Sequence, residues 1–74
     1  MSDERIPIQP GDSVQVYLDA SRARSPGWYP GTVVRIDPYS AHRSFYWVRF
    51  DDDVRAILGF DTISVFNPKN IRKS

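Results

Sequence analysis

One stretch constrains this chain more than any other: Trp28-Tyr29-Pro30-Gly31-Thr32-Val33-Val34-Arg35-Ile36. An aromatic entry leads through a tight Pro-Gly corner into a β-rich run. Proline has no N–H to give to a ladder, so Pro30 belongs at the start of a strand, on an edge or at a bulge. Gly31 beside it points to close backbone approach or a strong bend, of the kind small barrels require. The run reads as a strand over residues 28–36. Upstream, Ser13 to Leu18 alternates, with Val14, Val16 and Leu18 on one face and Ser13, Gln15 and Tyr17 on the other. That is the period of a half-buried strand, and Gly11-Asp12 is the turn before it. Downstream, Ser44 to Phe50 is aromatic and β-branched, a third strand in which Trp47 faces away from Tyr46 and Val48.

The rest of the chain keeps this rhythm. Met1 to Pro10 is polar with two prolines and reads as a flexible lead-in. Asp19 to Gly27 is a loop closed by Ser25-Pro26-Gly27, and Asp37 to Arg43 is a polar connection. Asp51-Asp52-Asp53 reads as a turn. Val54 to Leu58 and Thr62 to Phe66 read as β-like pieces around Gly59-Phe60-Asp61, either one bent strand or two. Asn67 to Asn70 is a short helical turn, and Ile71-Arg72 a closing strand. No segment carries a helical period of useful length. Short strands with turn signals every 8–12 residues or so predict an all-β fold, a small five-stranded barrel. Closure hides the edges that such an aromatic sequence would otherwise expose.

A chain of 74 residues has room for one domain with a small core. It has no cysteine, so neither a disulfide nor a thiolate zinc site can staple it. Two Trp, four Tyr and four Phe take over that role, at about 2–3 kcal/mol per buried ring, with some left to face a ligand. No apolar run approaches the ~18 residues of a membrane span, and no charged-then-apolar leader is present, so a soluble intracellular protein with no membrane partner is expected. Ten Lys and Arg stand against nine Asp and Glu. That near-neutrality argues against nucleic-acid binding driven by bulk charge. Eight of the ten cations are Arg, which favours planar, bidentate or stacking contacts.

Catalytic chemistry finds no footing. The single His42 has no second His or Cys to share a metal. There is no Ser-His-Asp set, no Gly-rich phosphate loop and no paired carboxylate with a base. A non-enzyme without metal or cofactor is expected. Asp51-Asp52-Asp53 lacks the alternating spacing of a hard-cation loop and reads as a solvated turn or an attractor for a basic peptide. Arg22, Arg24, His42 and Arg43 lie on two loops; with Lys69, Arg72 and Lys73 they serve either solubility or a basic face for phosphate.

Four pieces, in order, resemble a known group. Gly11-Asp12-Ser13-Val14-Gln15-Val16 is similar to the opening of Tudor, Agenet and related SH3-like barrels. Trp28-Tyr29-Pro30-Gly31-Thr32-Val33 resembles their second strand. Tyr46-Trp47-Val48-Arg49-Phe50-Asp51-Asp52 resembles the end of their third, and Val65 to Arg72 their terminal turn and last strand. The likeness covers about residues 11–73, which would form the Tudor-like barrel domain. It implies a reader module of a nuclear, chromatin-associated protein, part of a larger chain, that binds a peptide such as a methylated histone tail in an aromatic cage. A methylated cation over a ring face gains roughly 0.5–2 kcal/mol. By position, Tyr29 and Phe50 match cage aromatics and Asp52 the acidic residue, with Trp28 or Phe60 completing the pocket. The first-strand cage position falls on Leu18. Two other readings follow from the same likeness. Retroelement integrases end in SH3-like barrels that close on a basic strand, and Ile71-Arg72-Lys73 resembles that ending; nucleic acid would then contact Arg22, Arg24, Arg43, Lys69 and Arg72. A degenerate barrel used for protein docking is the third, and Leu18 is what it would carry.

Overall fold

The computed structural model describes residues 8–41 and 43–74; residues 1–7 of the expected lead-in, and His42, lie outside the described residues. Five strands form one antiparallel sheet: β1 (Ser13–Leu18), β2 (Gly27–Pro38), β3 (Ser44–Phe50), β4 (Thr62–Val65) and β5 (Ile71–Lys73). Their order is β4-β3-β2-β1-β5, so the first four make a meander and the fifth returns to pair with β1. β4 and β5 are its two edges and do not pair with each other, which leaves a seam between them. A helix, α1 (Asp52–Leu58), separates β3 from β4, and one 3₁₀ turn, Pro68–Asn70, separates β4 from β5.

The alternation read from β1 is the alternation observed: Val14, Val16 and Leu18 are buried, and Tyr17 is turned outward. Val33 from β2, Val48 and Phe50 from β3, Val65 from β4 and Ile71 from β5 meet them on the inner face, joined by Ala23 from the β1–β2 loop and Val54 from α1. Tyr46 packs against this core from the same side as Val48. Trp47 faces the other way, where its indole N–H donates to Asp37 Oδ2 at 3.0 Å.

The Pro-Gly corner is explained by the two ladders flanking it. Pro30 lies opposite Gln15 on β1, while the β2–β3 register begins only at Gly31, opposite Phe50. The Pro30 carbonyl accepts from the Asp51 N–H at 3.3 Å. The missing proline N–H would point to that same side, where β3 has already ended, so no ladder bond is lost. Gly31 is a point of close approach: a Cβ there would lie 2.7 Å from the Arg49 carbonyl oxygen and 2.7 Å from Val48 Cγ1. The bend itself sits further on, where Val34 is the extra residue of a bulge between Val33 and Arg35.

Two expectations are corrected. Asp51-Asp52-Asp53 is not a free turn but the N-cap and first turn of α1, and Val54 to Leu58 is helix rather than strand. The reason is local chemistry: carboxylates favour the positive end of the helix dipole, and Gly59, at φ +86°, closes the helix in the left-handed region. Val54 and Leu58, four apart, turn together onto the core, whereas strand alternation would have added Ala56 to them. Of the residues read as lead-in, Ile8 packs on the core and Gln9 N–H donates to Asp12 Oδ2 at 2.9 Å.

Candidate functional site

The residues expected to form a cage are distributed over both faces of the sheet. Tyr29 and Trp28 are consecutive in β2, so they point to opposite sides. Tyr29 packs against the core, and its hydroxyl donates to the Ser25 carbonyl, pinning the β1–β2 loop. Phe50 is 2% exposed and meets Phe60 edge to face at 5.9 Å between centroids. A cation must come within ~6 Å of a ring over an open face, and the faces of Phe50 are covered by core. Leu18 at the first-strand position is likewise fully buried. Asp52 is open to solvent on α1, where it pairs with Arg55. Trp28 lies outside this group.

What Trp28 does join is a different surface. On the outer face of β1 and β2 it stands opposite Tyr17, with ring centroids 5.6 Å apart and planes steeply inclined to each other. Arg72 of β5 lies over the indole, its Cζ 4.0 Å from the ring centroid, and its Nε donates to Gln15 Oε1 at 2.8 Å. The cation–π contact and the Gln15 bond together hold the guanidinium over the ring. No hydrogen bond or ion pair of the described residues engages its terminal nitrogens.

Across the seam is a second ring cluster. Phe45 and Phe66 lie 4.8 Å apart, and Tyr39 meets them at 5.8 and 5.3 Å. Arg43 stands over Phe66 at 5.2 Å. These rings touch one another, so the cluster holds no cation between its members; Tyr39, at 68% exposed, offers an open face outward. The two clusters meet in a slot of about 320 Å³ lined by Tyr17, Arg22, Phe45, Phe66, Asn67 and Asn70, among others. One band therefore runs Arg43, Phe66 and Phe45, Arg22, Tyr17, Trp28, Arg72, with each member touching the next or sharing the slot with it.

The β1–β2 loop presents Arg22 through Asp19. The Asp19 carboxylate accepts from Ser21 Oγ at 2.6 Å and from Ser21 N–H at 3.1 Å, and the Asp19 carbonyl accepts from the N–H groups of Arg22 and Ala23 at 3.0 Å. The Ser21 hydroxyl, and then its amide, hold the Asp19 carboxyl below its ordinary value. Ala23 buries itself in the core and fixes the loop from below. Of the cations named from sequence, Arg22, Arg43 and Arg72 thus come together. Lys69 flanks them on the 3₁₀ turn. Arg24 lines a separate groove of about 720 Å³, against Ala56, Ile57 and Leu58, which Arg22 also borders.

Charge is sorted by the fold. The ion pairs among the described residues engage Arg35 with Asp37, Arg55 with Asp52 and Lys73 with Asp12. None engages Arg22, Arg24, Arg43, Lys69 or Arg72. The acidic run sits on α1. Among the described residues no three His, Asp or Glu side chains converge as metal ligands, and no helix is long and apolar enough to cross a membrane.

Sequence reading missed Tyr39, Phe45, Phe66, Asn67 and Asn70 as site residues. Alternation along β1 set Tyr17 on the face opposite the core residues, but the register that puts it beside Trp28 depends on the length and folding of the intervening loop. The chain matches no protein-family model, no curated protein and no solved structure.

Proposed function

We propose that the chain is an SH3-like barrel of the Tudor and Agenet kind, serving as a non-catalytic nucleic-acid-binding module of a nuclear, chromatin-associated protein. The meander, the 3₁₀ turn before the last strand and the return of β5 to β1 support the barrel. A single observation carries the function: arginines that no close ion pair among the described residues engages are interleaved with aromatic rings on one surface. Phosphate contacts supply affinity and rings supply stacking platforms, the combination that nucleic-acid grooves use. Near-neutral net charge does not oppose this, because apart from Asp19 beside Arg22 the described carboxylates lie on α1, in pairs with Arg35, Arg55 and Lys73, or at Asp61.

Peptide reading through Tyr29, Phe50 and Asp52 is the competing expectation, and the covered faces of Phe50 weigh against it. The test is fluorescence anisotropy of labelled DNA and RNA at two salt concentrations, beside mono-, di- and trimethyl-lysine peptides. Binding that weakens with salt, and weakens again in Arg72→Lys, is expected, since lysine keeps the charge and loses the stacked fork. No salt-dependent binding to either nucleic acid, or a methylated peptide that shifts Tyr29 and Phe60 signals, would contradict it.

A further inference from the structure

The slot at the seam carries more than a charge pattern. Its walls are β1 on one side and β4 on the other, two strands that do not pair, and its floor is the 3₁₀ turn. Tyr17, Phe45 and Phe66 supply ring surface. Asn67 Oδ1 accepts from the Lys69 N–H at 2.9 Å, which orients the side chain and leaves its NH₂ group to donate. Asn70 is half-buried in the slot, and its side-chain amide takes part in none of the hydrogen bonds of the described residues. Arg22 stands at the rim. At about 320 Å³ the slot is at the small end of ligand pockets, ~300–1,000 Å³.

Resting on the nucleic-acid reading above, we infer that this slot takes one unpaired nucleobase, and that the ligand is therefore single-stranded. A base is flat and apolar on its faces and carries donors and acceptors on its edge. Rings take the faces, side-chain amides take the edge, and a guanidinium at the rim takes the adjoining phosphate. A base within a duplex has its faces stacked and its Watson–Crick edge paired, so it cannot enter. Poly-glutamate satisfies the arginines equally well but has no ring to place between Tyr17, Phe66 and the two amides. RNA and DNA share the chemistry used here, and both are tested.

The experiment is a set of anisotropy titrations at fixed salt with strands of roughly eight nucleotides, a length suited to one small single-strand-binding fold. The arms are single-stranded RNA, single-stranded DNA, the same length as duplex, a DNA strand with abasic sites throughout, and a poly-glutamate competitor. Single strands are expected to bind on the order of tenfold tighter than the duplex or the abasic strand, the loss of one stacked base being enough for that factor. Asn70→Leu, which keeps the shape and removes the amide, is expected to narrow that difference, since the stacked base remains and its edge loses a partner. Abasic or duplex ligand bound as tightly as the normal single strand overturns the slot and leaves the nucleic-acid reading standing. Poly-glutamate that displaces the strand at equal charge also overturns it. Absence of binding to every nucleic acid overturns both. The abasic arm acts on the ligand alone, so it holds even if Asn70→Leu fails to fold.

Discussion

At the scale of single residues, Gly31 and Asp37 show how much local geometry is decided by one atom or one proton. Gly31→Ala drives a Cβ into a backbone carbonyl and a core methyl, and the carbonyl belongs to a ladder that cannot give way. A loss of roughly 1–3 kcal/mol is expected, read as a lower urea midpoint with an unchanged slope. Asp37 lies between the Arg35 guanidinium and the Trp47 indole, and Arg35 first, Trp47 second, hold its carboxyl below the ordinary value of 3.8. A folded-state value that is lowered gives stability that is complete above the unfolded value and disappears as pH falls through the lowered one. The Trp47 indole N–H resonance should therefore titrate with a midpoint below the ordinary carboxylate value. A midpoint above the ordinary value would show that Arg35 and Trp47 do not hold the carboxyl down, and no shift at all would show that the indole bond does not depend on the carboxylate. The close approach at Gly31 was legible in the sequence, because a glycine directly after a strand proline marks backbone that must bend or admit a close neighbour. The Asp37–Trp47 bond was not, because it joins two strands whose register is displaced by the bulge at Val34.

Secondary elements divide along the same line. β1, β3 and the 3₁₀ turn were readable because alternation and an Asn-Pro start are local signals. α1 was not: Val54, Ile57 and Leu58 are good strand residues, and seven positions are too few to display a helical period. The caps decided the outcome, with carboxylates ahead and Gly59 behind. Gly59→Ala should destabilise by about 1 kcal/mol, since it places a Cβ at φ +86°. Ala56→Lys separates the two assignments more sharply. A strand over residues 54–58 would bury Ala56 with Val54, making the change severely destabilising. The helix exposes it, so stability should change by no more than about 0.5 kcal/mol in chemical denaturation. The exposed Ile57, at 70%, shows that helix formation here serves Val54 and Leu58 rather than the whole apolar set.

For the whole molecule, the informative quantity is where charge lies rather than how much there is. Composition put the net charge at +1 and counted against a polyanion partner. The fold places most described carboxylates on α1 or in pairs with Arg35, Arg55 and Lys73, keeps Asp19 beside Arg22, and sets Arg22, Arg43 and Arg72 on a band of rings. That sorting depends on which strands meet across the seam, which no local signal reports. With three phosphate contacts at about −0.7 each for a single strand, log K against log salt should fall with a slope of about −2. The double variant Arg43→Gln, Arg72→Gln should flatten it to about −0.7. The most direct measurement of the band uses the two tryptophans, because Trp28 lies under Arg72 in the band whereas the Trp47 indole N–H is already bonded to Asp37. In a titration of the protein with a single-stranded oligonucleotide, the indole N–H signal of Trp28 should shift progressively. That of Trp47, bonded to Asp37, should move far less. A Trp28 signal that stays fixed at saturating strand, or a Trp47 signal that moves in its place, would contradict the account.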